Sequence, residues 1–248
     1  MFLLQASLGA VNDLVDRPLD REQKPAKPLP SGLISDRLAR AWAVLTAALG
    51  LALAVPSGPA AIGVAGLGLG LGYAYDLRLS RTALSWLPFA VALPLVPVYA
   101  WLGATGSVPP GLGALVPAGL IAGAGLGLGN GLVDIERDAP VGKATIAVRI
   151  GRNRAWAAHA AAFAIAIAIA ALFAPVGPGT AGAEVLRGVR WAGLPLGAAA
   201  IAGGAGLLAQ RRASVRERGW ELEALGTAVL GLGWLAGLAI TAGGGVGS

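Results

Sequence analysis

Residues 12–55 read NDLVDRPLDREQKPAKPLPSGLISDRLARAWAVLTAALGLALAV, a charged, proline-rich stretch that gives way after Arg37 to an almost unbroken apolar run. That change of character decides the fold class, because the same alternation recurs along the whole chain. The 248 residues are 56% hydrophobic and only 13% charged, against about 25% in an ordinary soluble domain. Apolar runs of spanning or near-spanning length fall at 38–55, 59–75, 84–103, 112–133, 154–174, 191–209 and 222–242. We therefore expect an all-α, polytopic transmembrane helical bundle forming a single membrane-embedded domain over 1–248. A stub at 1–14 has about 11 apolar residues, roughly 17 Å of helix against a hydrocarbon core of about 30 Å, and is not expected to span alone.

The connections carry the topology. Those at 15–37, 76–83, 134–153 and 210–221 are charged, whereas 56–58 and 104–111 carry no charge; Arg40 and Arg154 lie just inside the apolar runs next to this charged set, and only Arg187 and Arg190 lie away from it. The positive-inside rule places the charged loops in the cytoplasm, in a multi-pass protein of the cell membrane. The net charge of +6 thus reads as topology, and no nucleic-acid partner is expected. Cysteine is absent, which excludes disulfides, zinc fingers and thiol nucleophiles. Residues 1–11 lack a basic start and a small-residue cleavage site, so no signal peptide is expected.

Two Gly-rich stretches, 63–75 and 123–131, contain the letters of a dinucleotide fingerprint but no preceding strand. Gly123, Gly127 and Gly131, spaced i, i+4, i+8, instead make a small-residue stripe for close helix packing. The lone His159 has no second metal ligand at helical spacing and reads as structural. Trp42, Trp86, Trp101, Trp156, Trp191 and Trp220 near span ends read as interfacial anchors.

The chemistry lies in two acidic rows. Asn12, Asp16 and Asp20 are spaced i, i+4, i+8, with Asp13 beside the first, and Asn130, Asp134 and Asp138 repeat the spacing. Four-residue spacing stacks side chains on one helical face. Pro18 lacks an amide hydrogen and disfavours helix at Arg17, so the first row is expected to leave regular helix near Asp16. Carboxylates gathered at a membrane boundary need a compensating charge. Oxygen-only ligands without His or Cys favour Mg2+, which binds through one or two carboxylates together with phosphate oxygens. Arg17, Arg21, Lys24, Lys27, Arg137, Lys143 and Arg149 stand ready for the same phosphates. The combination describes a diphosphate site at the mouth of a helical bundle.

At these residues the sequence resembles the UbiA superfamily of intramembrane prenyltransferases. NDLVDRPLD (12–20) matches that family's first aspartate motif, and KPLPSGLIS (27–35) resembles the stretch that follows it. DIERD (134–138) with VGKATIAVRIG (141–151) resembles the second motif and its tail, and YAYDLRLSRTALSWLP (73–88) a tyrosine and basic loop. The resemblance implies a nine-helix bundle in which Mg2+, held by Asp13, Asp16, Asp20, Asp134 and Asp138, presents a prenyl diphosphate. Asp13, Asp16, Asp134 and Asp138 are the implied catalytic set. Asn12, Lys27, Arg78, Arg81, Asn130 and Lys143 are the implied diphosphate contacts. It further implies transfer of the prenyl group to an acceptor, most often aromatic. A non-aromatic acceptor or cyclisation of the prenyl chain is the alternative, and a non-enzymatic cation carrier a distant one. Relative to the family the first helix and part of the second are missing, so the chain is expected to be N-terminally truncated.

Overall fold

The computed structural model describes residues 1–175 and 184–243. Among them there is no strand. Ten α-helices follow in order: α1 (Phe2–Gln23), α2 (Asp36–Ala52), α3 (Pro59–Leu77), α4 (Leu87–Thr105), α5 (Leu115–Val133), α6 (Ile135–Asp138), α7 (Ile146–Ile150), α8 (Arg152–Leu172), α9 (Glu184–Leu208) and α10 (Ala213–Gly243). Only helices are compatible with this composition, because lipid offers backbone N–H and C=O groups no partner and a helix satisfies them within its own segment. Seven segments are long and apolar enough to cross a membrane: Asp36–Ser57, Pro59–Leu77, Leu87–Thr105, Pro110–Val133, Arg152–Leu172, Glu184–Leu208 and Ala213–Ala242. These are the seven expected runs, the last two beginning seven and nine residues earlier than their apolar cores because charged turns continue into the helix. The chain is a multi-pass membrane protein.

The first acidic row departs from expectation. α1 runs unbroken through Pro18 to Gln23, so Asn12, Asp16 and Asp20 do share one continuous helix. The proline removes one intrahelical hydrogen bond, and ties to neighbouring elements hold the helix through the defect.

Two compact units organise these helices. The first comprises Met1–Ser80 with Leu95–Val108, that is α1, α2, α3 and the C-terminal part of α4. Its core is Leu4, Ala54, Ala65 and Leu69, with Leu8, Leu51, Ile62, Tyr73 and Tyr99 packed around them. The leucines of α1 enter where the facing helices have no side chain: a Cβ on Gly50 would lie 2.6 Å from Leu4 Cδ2, and one on Gly72 2.4 Å from Leu8 Cδ2. A polar knot completes the unit. Ser7 is fully buried and donates to the Ala43 carbonyl on α2 (2.6 Å), while the Tyr73 hydroxyl on α3 reaches its oxygen at 2.6 Å. Between membrane helices such bonds contribute about 0.6 kcal/mol on average. At the polar end Arg17 pairs with Asp36, and Ser35 caps α2 by accepting from Leu38 N (3.3 Å).

The second unit comprises Arg81–Pro94 and Pro109–Ser248. α5 lies at its core and uses both faces. Its glycine stripe meets backbone, as expected: Cβ atoms on Gly123 and Gly127 would fall 2.3 Å from Phe89 O and 2.6 Å from Trp86 Cα. On the other face Gly125 accommodates the Phe163 ring and Gly129 the His159 ring. α9 and α10 pair along most of their length through Gly193 against Gly233 and Gly204 against Gly219. In the other Gly-rich stretch only Gly72 makes such a contact; Gly63, Gly66, Gly68 and Gly70 face open space among the described residues.

His159 is structural, as expected, and has a partner that spacing could not reveal. It is fully buried, with Nδ1 2.8 Å from Gly125 O and Nε2 2.8 Å from Glu223 Oε1. A carbonyl oxygen only accepts, so Nδ1 carries the proton and the second shared proton lies between Nε2 and the carboxyl. The pair is therefore net neutral whichever atom holds it, which makes it tolerable in a membrane interior. The tryptophans divide. Trp42 and Trp191 are exposed, as anchors are, but the indoles of Trp156 and Trp220 donate to Ala205 O (2.9 Å) and Leu126 O (3.0 Å) on neighbouring helices.

Gly123→Ala should lower the thermal unfolding midpoint in detergent, because its methyl group meets backbone that cannot move aside; overpacking of this kind costs about 1–3 kcal/mol. Gly63→Ala, into open space, is the control and should leave the midpoint unchanged or raise it. Equal shifts for both would show that the stripe is not a packing surface.

Candidate functional site

The first acidic row is built on α1 and the loop after it. Lys27, seven residues beyond Asp20, folds back so that its Nζ lies 2.6 Å from Asp20 Oδ2 and 3.0 Å from Asp13 Oδ1. Asp20 is 6% exposed, whereas the Asp13 side chain is about half exposed. Burial works against the Lys27 ammonium, yet its hydrogen bonds to Asp20 and Asp13 outweigh that and raise its pKa above the ordinary lysine value. Lys27, expected at a diphosphate, lies between two of the expected metal ligands. Asn12 Nδ2 in the same row donates to Asp76 Oδ1 on α3 (3.1 Å), and Asp16 is near enough to act on Asp76 electrostatically. Asp76 was missed in the sequence, although a carboxylate at the end of an apolar run is itself a signal of function.

The second row belongs to the other unit and repeats the design. α5 ends at Val133, Asp134 caps it, and one further turn, α6, carries Asp138. Gly142, at φ +73, takes the left-handed conformation that turns the chain back, and Lys143 Nζ then lies 2.8 Å from Asp138 Oδ1. Asp138 is 5% exposed. Asp134 is half-buried and is touched by Arg137 at 3.2 Å. Asn130 is half-buried on α5, one residue beyond the glycine that receives His159. The row is gripped from behind by Arg216, which was not identified from sequence. Its buried guanidinium donates to Val133 O (2.9 Å), to Arg211 O (2.6 Å) and to the Glu136 carboxylate. Arg152 reaches Glu136 as well, at 3.2 Å.

Of the remaining expected residues, Arg78 and Arg81 are both exposed. Arg78 caps α3 in the first unit, while Arg81 lies in the second, where its carbonyl accepts from Ala144 N (3.0 Å) and so stands beside the Lys143 loop. Among the described residues no three carboxylate or imidazole groups converge closely enough to hold a metal ion. What the structure has is two carboxylate groups that each accept a cation, currently a lysine, through oxygen alone. That donor set fits Mg2+, which takes hard oxygen ligands. The ammonium ions at 2.6–3.0 Å show that cations are accommodated there.

A family model described as the UbiA prenyltransferase family matches residues 1–222. A digeranylgeranylglyceryl phosphate synthase from Methanoregula boonei is 34% identical over 174 residues, covering 67% of this chain and 61% of the relative. Proteins of the same name from Sulfolobus acidocaldarius and Methanopyrus kandleri are 32% and 30% identical, over 62% and 65% of this chain. The chain spans 56% and 59% of their lengths, so it covers less than two thirds of each of these three relatives. Among solved structures, a UbiA homolog from Aeropyrum pernix superposes with a TM-score of 0.72 at 20% identity, covering 95% of this chain and 86% of that one. A UbiA homolog from Archaeoglobus fulgidus bound to GPP and Mg2+ gives 0.62 at 21% identity, covering 94% and 83%. These two likenesses establish the fold.

Burial raises the pKa of Asp138, and Lys143 opposes this only in part. A carboxyl whose folded value is raised stabilises the fold below its unfolded pKa, and that contribution is lost as pH rises through the folded value. At neutral pH the ionised Asp138 is therefore a cost to the metal-free chain. Asp138→Asn should raise the unfolding midpoint at pH 7, by about 2–4 °C per kcal/mol recovered, and the gain should vanish as pH falls towards about 4. Lys143→Met should lower the midpoint at pH 7. An Asp138→Asn variant that is less stable at pH 7 would contradict this account.

Proposed function

The chain belongs to the UbiA prenyltransferase family, and on that premise we propose that it is a Mg2+-dependent intramembrane prenyltransferase, a single domain moving a prenyl group from an allylic diphosphate to a lipid alcohol. The observation that carries the reading is the repeated acidic row, each ending in a buried carboxylate that already holds a cation from its following loop. The A. fulgidus homolog, bound to GPP and Mg2+, supports the donor and the metal.

Asp13, Asp16 and Asp20 with Asn12 would hold metal in the first row, and Asp134 and Asp138 with Asn130 would hold it in the second. When bound, Mg2+ supplies Lewis-acid stabilisation of the departing diphosphate. The chain's own residues do the rest. Lys27 and Lys143, exchanged from their carboxylates, turn to the diphosphate, and Arg78 and Arg81 add charge around it. The apolar helices exclude water from the allylic cation formed when the C–O bond breaks. Attack by a hydroxyl oxygen then forms an ether, releasing diphosphate and one proton. Both rows work at the cytoplasmic end of their helices, where the positive-inside rule puts the charged loops.

The acceptor follows from the relatives' names. A digeranylgeranylglyceryl phosphate carries its prenyl groups on glycerol oxygens, so three archaeal relatives of that name favour a glyceryl phosphate hydroxyl over the aromatic ring expected from the resemblance. Membranes containing the chain are assayed with labelled geranylgeranyl diphosphate and Mg2+, with either a geranylgeranylglyceryl phosphate or 4-hydroxybenzoate as acceptor. An ether-linked product with the first alone is expected; prenylated hydroxybenzoate would return the reading to an aromatic acceptor, and a cyclic terpene without acceptor to cyclisation. Asp16→Ala and Asp134→Ala should each lower diphosphate release at least about 100-fold, and an active double variant would remove the metal site.

A further inference from the structure

Asp76 stands apart from both aspartate rows. It lies in the last turn of α3, 8% exposed, and its carboxylate accepts a hydrogen bond from Asn12 Nδ2 at 3.1 Å. A tie between α1 and α3 does not need this pair, because Ser7 and Tyr73 already join the same two helices through hydroxyls at 2.6 Å. A buried carboxylate is a costly way to repeat that tie, the more so with Asp16 acting on it electrostatically.

What the pair does accomplish is to orient an amide. The nitrogen of an Asn side chain only donates and the oxygen only accepts, and within the amide plane the two diverge on opposite sides of the Cβ–Cγ bond. A hard cation can be ligated by the oxygen alone. We infer that Asp76 is a positioning residue for the first acidic row: by holding the nitrogen of Asn12 against α3, it keeps the amide oxygen turned away from α3 and available to a divalent cation. Asp76 thereby acts through Asn12, as the carboxylates behind metal-binding histidines act through the imidazole. Without it the amide can rotate by half a turn and present a nitrogen that repels the ion. The inference rests on the metal-dependent reading above.

The test is binding of Mn2+ alone to the full chain in detergent, followed by the paramagnetic resonance of the free ion, with unfolding midpoints recorded in parallel. Asp76→Leu, close in shape but without an acceptor, should weaken Mn2+ about 10–100-fold. Asp76→Asn, which keeps an oxygen to accept from Asn12, should weaken it less and serves in place of the leucine variant if that one does not fold. In an Asn12→Ala background Asp76→Leu should cause no further loss. Unchanged Mn2+ affinity in Asp76→Leu overturns the inference. So do losses that multiply in the double variant, since Asp76 would then act on the ion by its own charge. A wild-type chain that binds no Mn2+ would instead sink the metal site itself.

Discussion

A buried carboxylate must be met by a donor, and at Asp20 and Asp138 that requirement decides how the chain runs after each acidic row. Asp20 and Asp138 are both nearly buried, and in each case the chain turns back within a few residues to bring a lysine onto the carboxylate. The loop after Asp138 needs Gly142 in a left-handed conformation to do so. Arg216 extends the same logic to the backbone. Its guanidinium lies against the Val133 carbonyl at the negative end of α5 and against Glu136, which fixes the helix terminus from which Asp134 and Asp138 project.

The apolar part answers a different constraint. With lipid outside as apolar as the side chains inside, helices gain little from burying leucine and associate through close approach instead. α5 is the extreme case, with glycines on one face against Phe89 and Trp86 and on the other against Phe163 and His159. The His159–Glu223 pair sits where α5, α8 and α10 meet, and its net-neutral arrangement, with one proton on Nδ1 and one shared with the carboxyl, joins them without placing net charge in the membrane.

The span count, the helical class and the two acidic rows were legible because they are periodic: hydropathy repeats with the membrane thickness, and carboxylates repeat every fourth residue. The glycine stripe of α5 was legible for the same reason. What lay beyond reach were pairings between distant residues. Nothing in the spacing around His159 points to Glu223, nor around Asn12 to Asp76, nor around Val133 to Arg216, because each partner lies 64 to 83 residues away and is brought in by tertiary packing. Pro18 misled for a local reason. Its effect on the backbone is real, but Ser7, Arg17 and Lys27 tie α1 down on either side of it, and tertiary bonds override a single-residue preference.

The lysines on Asp20 and Asp138 also bear on how the protein is made. Because each buried carboxylate is neutralised by its own chain, the nascent polypeptide can be inserted and packed before any ion arrives. A cation binding at either place would exchange with a lysine on a surface already folded, so its supply would bear on occupancy of the carboxylates and not on folding.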